Sequence, residues 1–199
     1  MKLAILILLV LLAGCQQGAT IPGGQASHCD ETDNLLVNPS FSAENGRMQP
    51  WRGSQHAGEP SFETSVSNGE LTIEKIGTQP WFSLAQSPAA RSLRGQELLF
   101  RAELKLALDT EGLDGSSVAG GGQQVLIWGN MDPVLGGDSL VYSSTLENEP
   151  RLGHTDWLPV TLTFRVPEDA TRMRVGFVHQ ANGNLSIRNP ALYRCGGGV

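Results

Sequence analysis

The alternation between Leu158 and Val166 constrains this chain more than any other stretch. Leu158, Val160, Leu162, Phe164 and Val166 take every second position, so an extended segment here carries one continuous apolar face. Pro159 is tolerable near the first residues of a strand, where it removes little of the ladder. Turn chemistry follows at Pro167, Glu168 and Asp169, and the alternation resumes at Met173, Val175 and Phe177. Asn182-Gly183-Asn184 then supplies a reversal into Leu185 and Ile187. The cassette from Trp157 to Cys195 thus predicts a three-strand antiparallel meander. Three strands with one apolar face are not stable alone in water, so the remaining chain must supply a covering layer. The expected fold class is all-β, a two-sheet antiparallel β-sandwich.

The middle of the chain supplies that layer. Phe62, Thr64 and Val66 alternate, Asn68-Gly69 is a hairpin signal, and Leu71 and Ile73 continue beyond it. Trp81 to Gln86 is a further candidate strand. Leu98, Phe100, Ala102, Leu104, Leu106 and Leu108 form the longest period-two run and predict a central strand. Asp109 to Gly122 is rich in Gly, Ser and Asp and reads as a loop, Gln123 to Asn130 as strand, and Leu140 to Tyr142 as a short strand. With 24 glycines and 11 prolines in 199 residues, and no helical apolar spacing beyond the N-terminus, one domain of short strands is expected. The net charge is -6 and the lysines are Lys2, Lys75 and Lys105, so no basic stripe exists to neutralise phosphates. Nucleic acid is not an expected partner.

At the N-terminus, Met1-Lys2 precedes an apolar run from Leu3 to Leu12 that is too short to span a bilayer and reads as a bacterial export signal. Its ending, Leu12-Ala13-Gly14-Cys15, resembles the lipobox of bacterial lipoproteins at all four positions. The resemblance implies cleavage before Cys15, a diacylglycerol on its sulfur and a further acyl chain on the new amine. Such chains bury about 0.8 kcal/mol per methylene and moor a protein to a membrane without a transmembrane helix. Gln16, not Asp, follows the cysteine, which in Gram-negative lipoproteins is compatible with transfer to the outer membrane, in either leaflet. The other reading is an ordinary secretory leader. Residues 1–14 are thus expected to be a signal peptide, 15–28 a polar tether and 29–199 the sandwich. With Cys15 consumed by lipid, export to an oxidising compartment makes a Cys29–Cys195 disulfide the expectation over free thiols or a metal site. It would staple the first strand to the last.

Asn34-Leu35-Leu36-Val37-Asn38-Pro39-Ser40-Phe41 reads as a short strand entering a proline turn. It resembles the opening N-L-L-x-N-x-x-F-E of galactose-binding-like β-sandwiches, particularly carbohydrate-binding modules of the CBM4/9/22 type. Trp157, Val166-Pro167, the apolar strand from Met173 to Val178 and the stretch from Ile187 to Leu192 resemble the closing pattern. The resemblance spans Asn34 to Tyr193 and implies a jelly roll that binds a glycan. Members often hold a structural calcium. Here Ser42 follows Phe41 and Arg188-Asn189 stand where the closing acids would lie, which leaves Asp30, Glu31 and Asp33 as the acids near that corner. No metal or cofactor is expected.

On the strand from Gln123 to Asn130, Val125 and Ile127 share one face, and Gln124, Leu126, Trp128 and Asn130 the other. An indole can stack on the apolar side of a pyranose while amides bond its hydroxyls, so Trp128, Gln124 and Asn130 are candidate ligand residues, joined by Tyr142, His179 and Gln180 from neighbouring strands. Trp128 can equally cap the core. Trp51 and Trp157 align with tryptophans that are structural in the resembling modules, and Trp81 is either a rim platform or core. The expectation is a lipid-anchored, non-catalytic protein of the bacterial envelope that binds a glycan or another envelope component. Its rival is a structural or protein-interaction lipoprotein of the same fold. Gly137-Asp138-Ser139-Leu140 spells the GDSL esterase motif, with Ser139 as nucleophile. However, those enzymes place it early in an α/β domain with a downstream Asp-x-x-His that this chain lacks.

Overall fold

The computed structural model describes residues 28–196 apart from 114, 116, 117 and 133–135, with backbone alone for 131, 132 and 136. The signal peptide, Cys15 and nearly all of the expected tether lie outside the described residues. The strands are β1 (His28–Asp30), β2 (Arg52–Gln55), β3 (Phe62–Ser67), β4 (Glu70–Lys75), β5 (Phe82–Gln86), β6 (Glu97–Asp109), β7 (Gly120–Asp132), β8 (Gly136–Ser144), β9 (Gly153–His154), β10 (Leu158–Arg165), β11 (Arg172–Gln180) and β12 (Asn182–Gly196), with a one-turn helix α1 (Thr145–Asn148). Among the described residues they form two antiparallel sheets. One runs β10-β6-β12-β4-β3, with β1 on β12 and β9 on β6, and the other runs β2-β5-β11-β7-β8. This is the expected all-β sandwich.

The long alternation does what its period demands. Leu98, Phe100, Ala102, Leu104, Leu106 and Leu108 are buried along one face of β6, which is flanked by β10 and β12. Val125 and Ile127 of β7 and Met173, Val175 and Phe177 of β11 close on them from the other sheet. Burying each large side chain contributes about 1.5–3 kcal/mol, so this interface dominates the stability. Trp51 belongs to it. Its ring lies 5.1 Å from Phe41 and 6.0 Å from Phe177, and its Nε1 donates to Asn38 O at 2.9 Å.

The meander expectation is corrected. β10 pairs with β6, β11 with β5 and β7, and β12 with β6 and β4, so the three C-terminal strands never pair with one another. Both sheets offer apolar faces to the same interior, and alternation does not say which sheet a strand joins. The Asn182-Gly183 reversal is accordingly a crossing between layers. Asn182 pairs with Asp109 on β6, and its Nδ2 donates to Asp109 Oδ1 at 3.1 Å and to Glu111 O at 2.7 Å. The Asn68-Gly69 hairpin stands as read, with both residues at positive φ between β3 and β4.

Asn34 to Phe41 is not a strand. Side chains take the place of a ladder: Asn34 Oδ1 accepts from Leu36 N and Leu192 N, both at 3.0 Å, and Gln86 bonds both polar groups of Val37's backbone at 3.1 Å. Asn38, at φ 53°, joins Ser42 and Gln49 in the same way. The spacing of amides in this segment therefore serves backbone satisfaction. Gly120 to Gly122, read as loop, instead open β7, where α1 packs over them and Thr145 Oγ1 accepts from Gln123 N at 2.8 Å. β1 lies against the end of β12 with Cys29 directly opposite Cys195, and their sulfurs are bonded at 2.02 Å.

Candidate functional site

The five-stranded sheet has one face in the core and one outside. The register maps the outer face in rows. Ser54, Ser83 and Val178 share one row across β2, β5 and β11. Arg52, Ala85, Gly176 and Gln124 share the next, followed by Arg174, Leu126 and Tyr142, and then Arg172 and Trp128. Ser54, Trp81, Ser83, Gln124, Leu126, Arg174, Val178 and Gln180 enclose a shallow groove of about 200 Å³.

Gln124 is nine-tenths buried, and its Nε2 donates to Ser83 Oγ. The two residues belong to β7 and β5, with β11 between them, where Gly176 pairs with Gln124 and Val178 with Ser83. A Cβ at 176 would lie 2.2 Å from Leu84 O, so the backbones approach here as only glycine permits. Trp81 stands at the head of β5, half-buried, with the His56 ring edge-on at 6.4 Å. Arg174 is half-buried in the groove, and burial, then the charge of Arg172, hold its guanidinium pKa below the usual value. Arg172 lies over the Trp128 ring, its Cζ 5.3 Å from the centroid. Tyr142 is exposed opposite Leu126, and its hydroxyl donates to Glu147 Oε1 at 2.8 Å. Burial, that bond and the carboxylate's charge raise its pKa.

The structure thus brings Gln124, Trp81 and Gln180 into one groove. Trp128 has the predicted facing but lies outside the groove's lining and carries Arg172 instead of an open ring face. Asn130 is exposed farther along β7. His179 is corrected. The β11 alternation that sends Arg174, Val178 and Gln180 outward sends His179 into the core beside Met173, Val175 and Phe177, with its ring edge-on to Phe62 at 5.3 Å. Trp157 packs outside the core. It is half-buried on the outer side of the seven-stranded sheet, with Arg188 Cζ 4.2 Å from its centroid. Arg174 and Ser54 were missed, although the period-two reading of β11 already aligned Arg174 with Gln180.

The acids near the disulfide have other tasks. Asp30 Oδ1 accepts from Thr32 N and Oγ1, Glu31 pairs with Arg101 at 2.5 Å, and Asp33 with Arg194 at 2.9 Å. Arg188, in the position of a closing acid, pairs with Glu103 and Glu70. Among the described residues no group of three His, Cys, Asp or Glu is arranged to hold a metal ion. Ser139 sits on β8 opposite Trp128, while His154 is on the other sheet and His179 in the core, so neither serves it as base. No described helix is long and apolar enough to cross a membrane.

The fold is that of a carbohydrate-binding-module-like jelly roll. A solved CBM4 module superposes with a TM-score of 0.51 at 18% identity, covering 79% of this chain and 98% of that one. The CBM22-1–CBM22-2 tandem of Xyn10C from Paenibacillus barcinonensis gives 0.51 at 12% identity over 86% of this chain and 48% of that one. The enzymatically active domain of tailspike protein 4 from bacteriophage CBA120 gives 0.56 at 15% identity. That match covers 81% of this chain but only 21% of the tailspike chain, so the sandwich corresponds to about a fifth of that protein. No protein-family model and no curated protein matches the sequence.

Proposed function

We propose that this chain is a lipid-anchored, non-catalytic glycan-binding protein of the bacterial envelope. The groove carries the reading: an indole at Trp81 stands beside amides at Gln124 and Gln180 and hydroxyls at Ser54 and Ser83, on a sheet rigid enough to hold them. Indole covers the apolar side of a sugar ring, and the amides and hydroxyls bond its hydroxyls. The open trough suits an extended polysaccharide. The anchor is Cys15, on the lipobox-like Leu12-Ala13-Gly14-Cys15, with residues 16–27 leading to β1.

Two measurements test it. The full chain should partition with membranes and lose that partition in Cys15→Ser. On a polysaccharide panel it should be retained by at least one glycan, and Trp81→Ala should abolish retention at an unchanged melting temperature. Retention by no glycan would sink the sugar reading and leave an interaction lipoprotein of the same fold.

A further inference from the structure

The groove face carries three arginines that form no ion pair among the described residues. Arg174 stands in the groove, Arg172 one row along on the same face of β11, and Arg52 across β5 on the face of β2. Residues two apart on a strand are about 7 Å apart, so Arg172 and Arg174 are rooted on one face of β11 within reach of one extended polysaccharide. The chain has 20 acidic residues against 14 basic ones, yet none of these three arginines forms an ion pair among the described residues. Arg101, Arg188 and Arg194 of the other sheet are each paired with a carboxylate. Glu147, at the far rim, accepts from Tyr142.

A half-buried guanidinium beside a like charge costs free energy unless an anion compensates it. Arg174 is in that position, its proton loosened by burial and by Arg172. Trp128 holds Arg172 by its ring face, which orders the second cation without neutralising it.

We propose that the groove selects acidic polysaccharides, with Arg174 taking the carboxylate of a uronic acid unit stacked on Trp81, and Arg172 and Arg52 meeting the acids of neighbouring units. This rests on the glycan-binding reading above. Guanidinium meets carboxylate as a planar fork with two parallel hydrogen bonds, a geometry that neutral sugars do not supply.

Affinity electrophoresis of the full chain in detergent, in gels containing polygalacturonate, its fully methyl-esterified form, neutral xylan or dextran sulfate, tests it. Polygalacturonate should retard the protein, with affinity at least about tenfold above that for the methyl ester, and added salt should weaken it. Arg174→Gln should cost about tenfold on polygalacturonate, well beyond any loss it causes on xylan, and Arg172→Gln should add to the loss. Melting temperatures within about 2 °C of the parent would show both variants folded. Equal retention by xylan and polygalacturonate, unmoved by Arg174→Gln, overturns acid selection and leaves glycan binding standing. Dextran sulfate binding as tightly, with Trp81→Ala without effect, also overturns it by showing charge attraction alone. Retention by none of the four overturns acid selection, and the wider panel above then decides the sugar reading.

Discussion

Gln124 on β7 reaches Ser83 on β5 across β11, whose Gly176 pairs with Gln124 and whose Val178 pairs with Ser83. Any side chain at 176 meets the backbone at Leu84 and Ala85. Gly176→Ala should destabilise the fold by about 1–3 kcal/mol, the usual range for overpacking, seen as a lower denaturation midpoint. It should also disturb the groove. A midpoint equal to the parent's would show that β5 and β11 separate at no cost.

His179 makes stability depend on pH. Burial, with Lys75's charge acting the same way, pushes its imidazole down to about 4, against about 6.5 in an unfolded chain. Between these values the unfolded state binds more protons, so stability is full above about pH 6.5 and falls as pH drops towards 4. The loss is on the order of 3 kcal/mol. Urea unfolding at a series of pH values measures it, and His179→Leu should flatten that limb.

Gln123 faces the core with both side-chain amide atoms buried and without a hydrogen-bond partner among the described residues. An uncompensated buried amide costs about 1–3 kcal/mol. Gln123→Met, similar in shape and apolar, should raise stability by about 1 kcal/mol or more in thermal melts. A lower melting temperature would instead reveal a water bonded to the amide.

The Cys29–Cys195 bond closes nearly the whole domain, with a sequence separation of 166. The chain-entropy model gives on the order of 5 kcal/mol for such a loop. Cys29→Ala with Cys195→Ala should lower the urea midpoint in non-reducing buffer. Reductant should do the same to the parent and nothing to the double variant.

Much of the sandwich was legible in the sequence because period two is a local property. Leu98 to Leu108 and Leu158 to Val166 declare strands and their inward faces without reference to any partner. The pairing of Cys29 with Cys195 was legible for a different reason: the chain has only three cysteines, and these two bracket the sandwich. The segment from Asn34 to Phe41 misled because its apolar residues look extended while Asn34, Asn38 and Gln86 supply the hydrogen bonds of a strand from side chains.

The candidate site was only half legible. Alternation set Gln124 and Trp128 on the outer face of β7, and the same period on β11 separates His179 from Gln180 once its inward face is known. What alternation cannot supply is the neighbour. That β11 lies between β5 and β7, that Gln124 reaches Ser83 across it, that Trp81 joins the groove while Trp128 holds Arg172, and that β10, β11 and β12 part into two layers all follow from which apolar faces found each other. By itself the sequence determined the strands and their inward sides, since these depend on residue order alone. Only the tertiary structure decided the sheet order and with it the groove, because non-local pairing is settled by how two greasy surfaces of similar composition fit together.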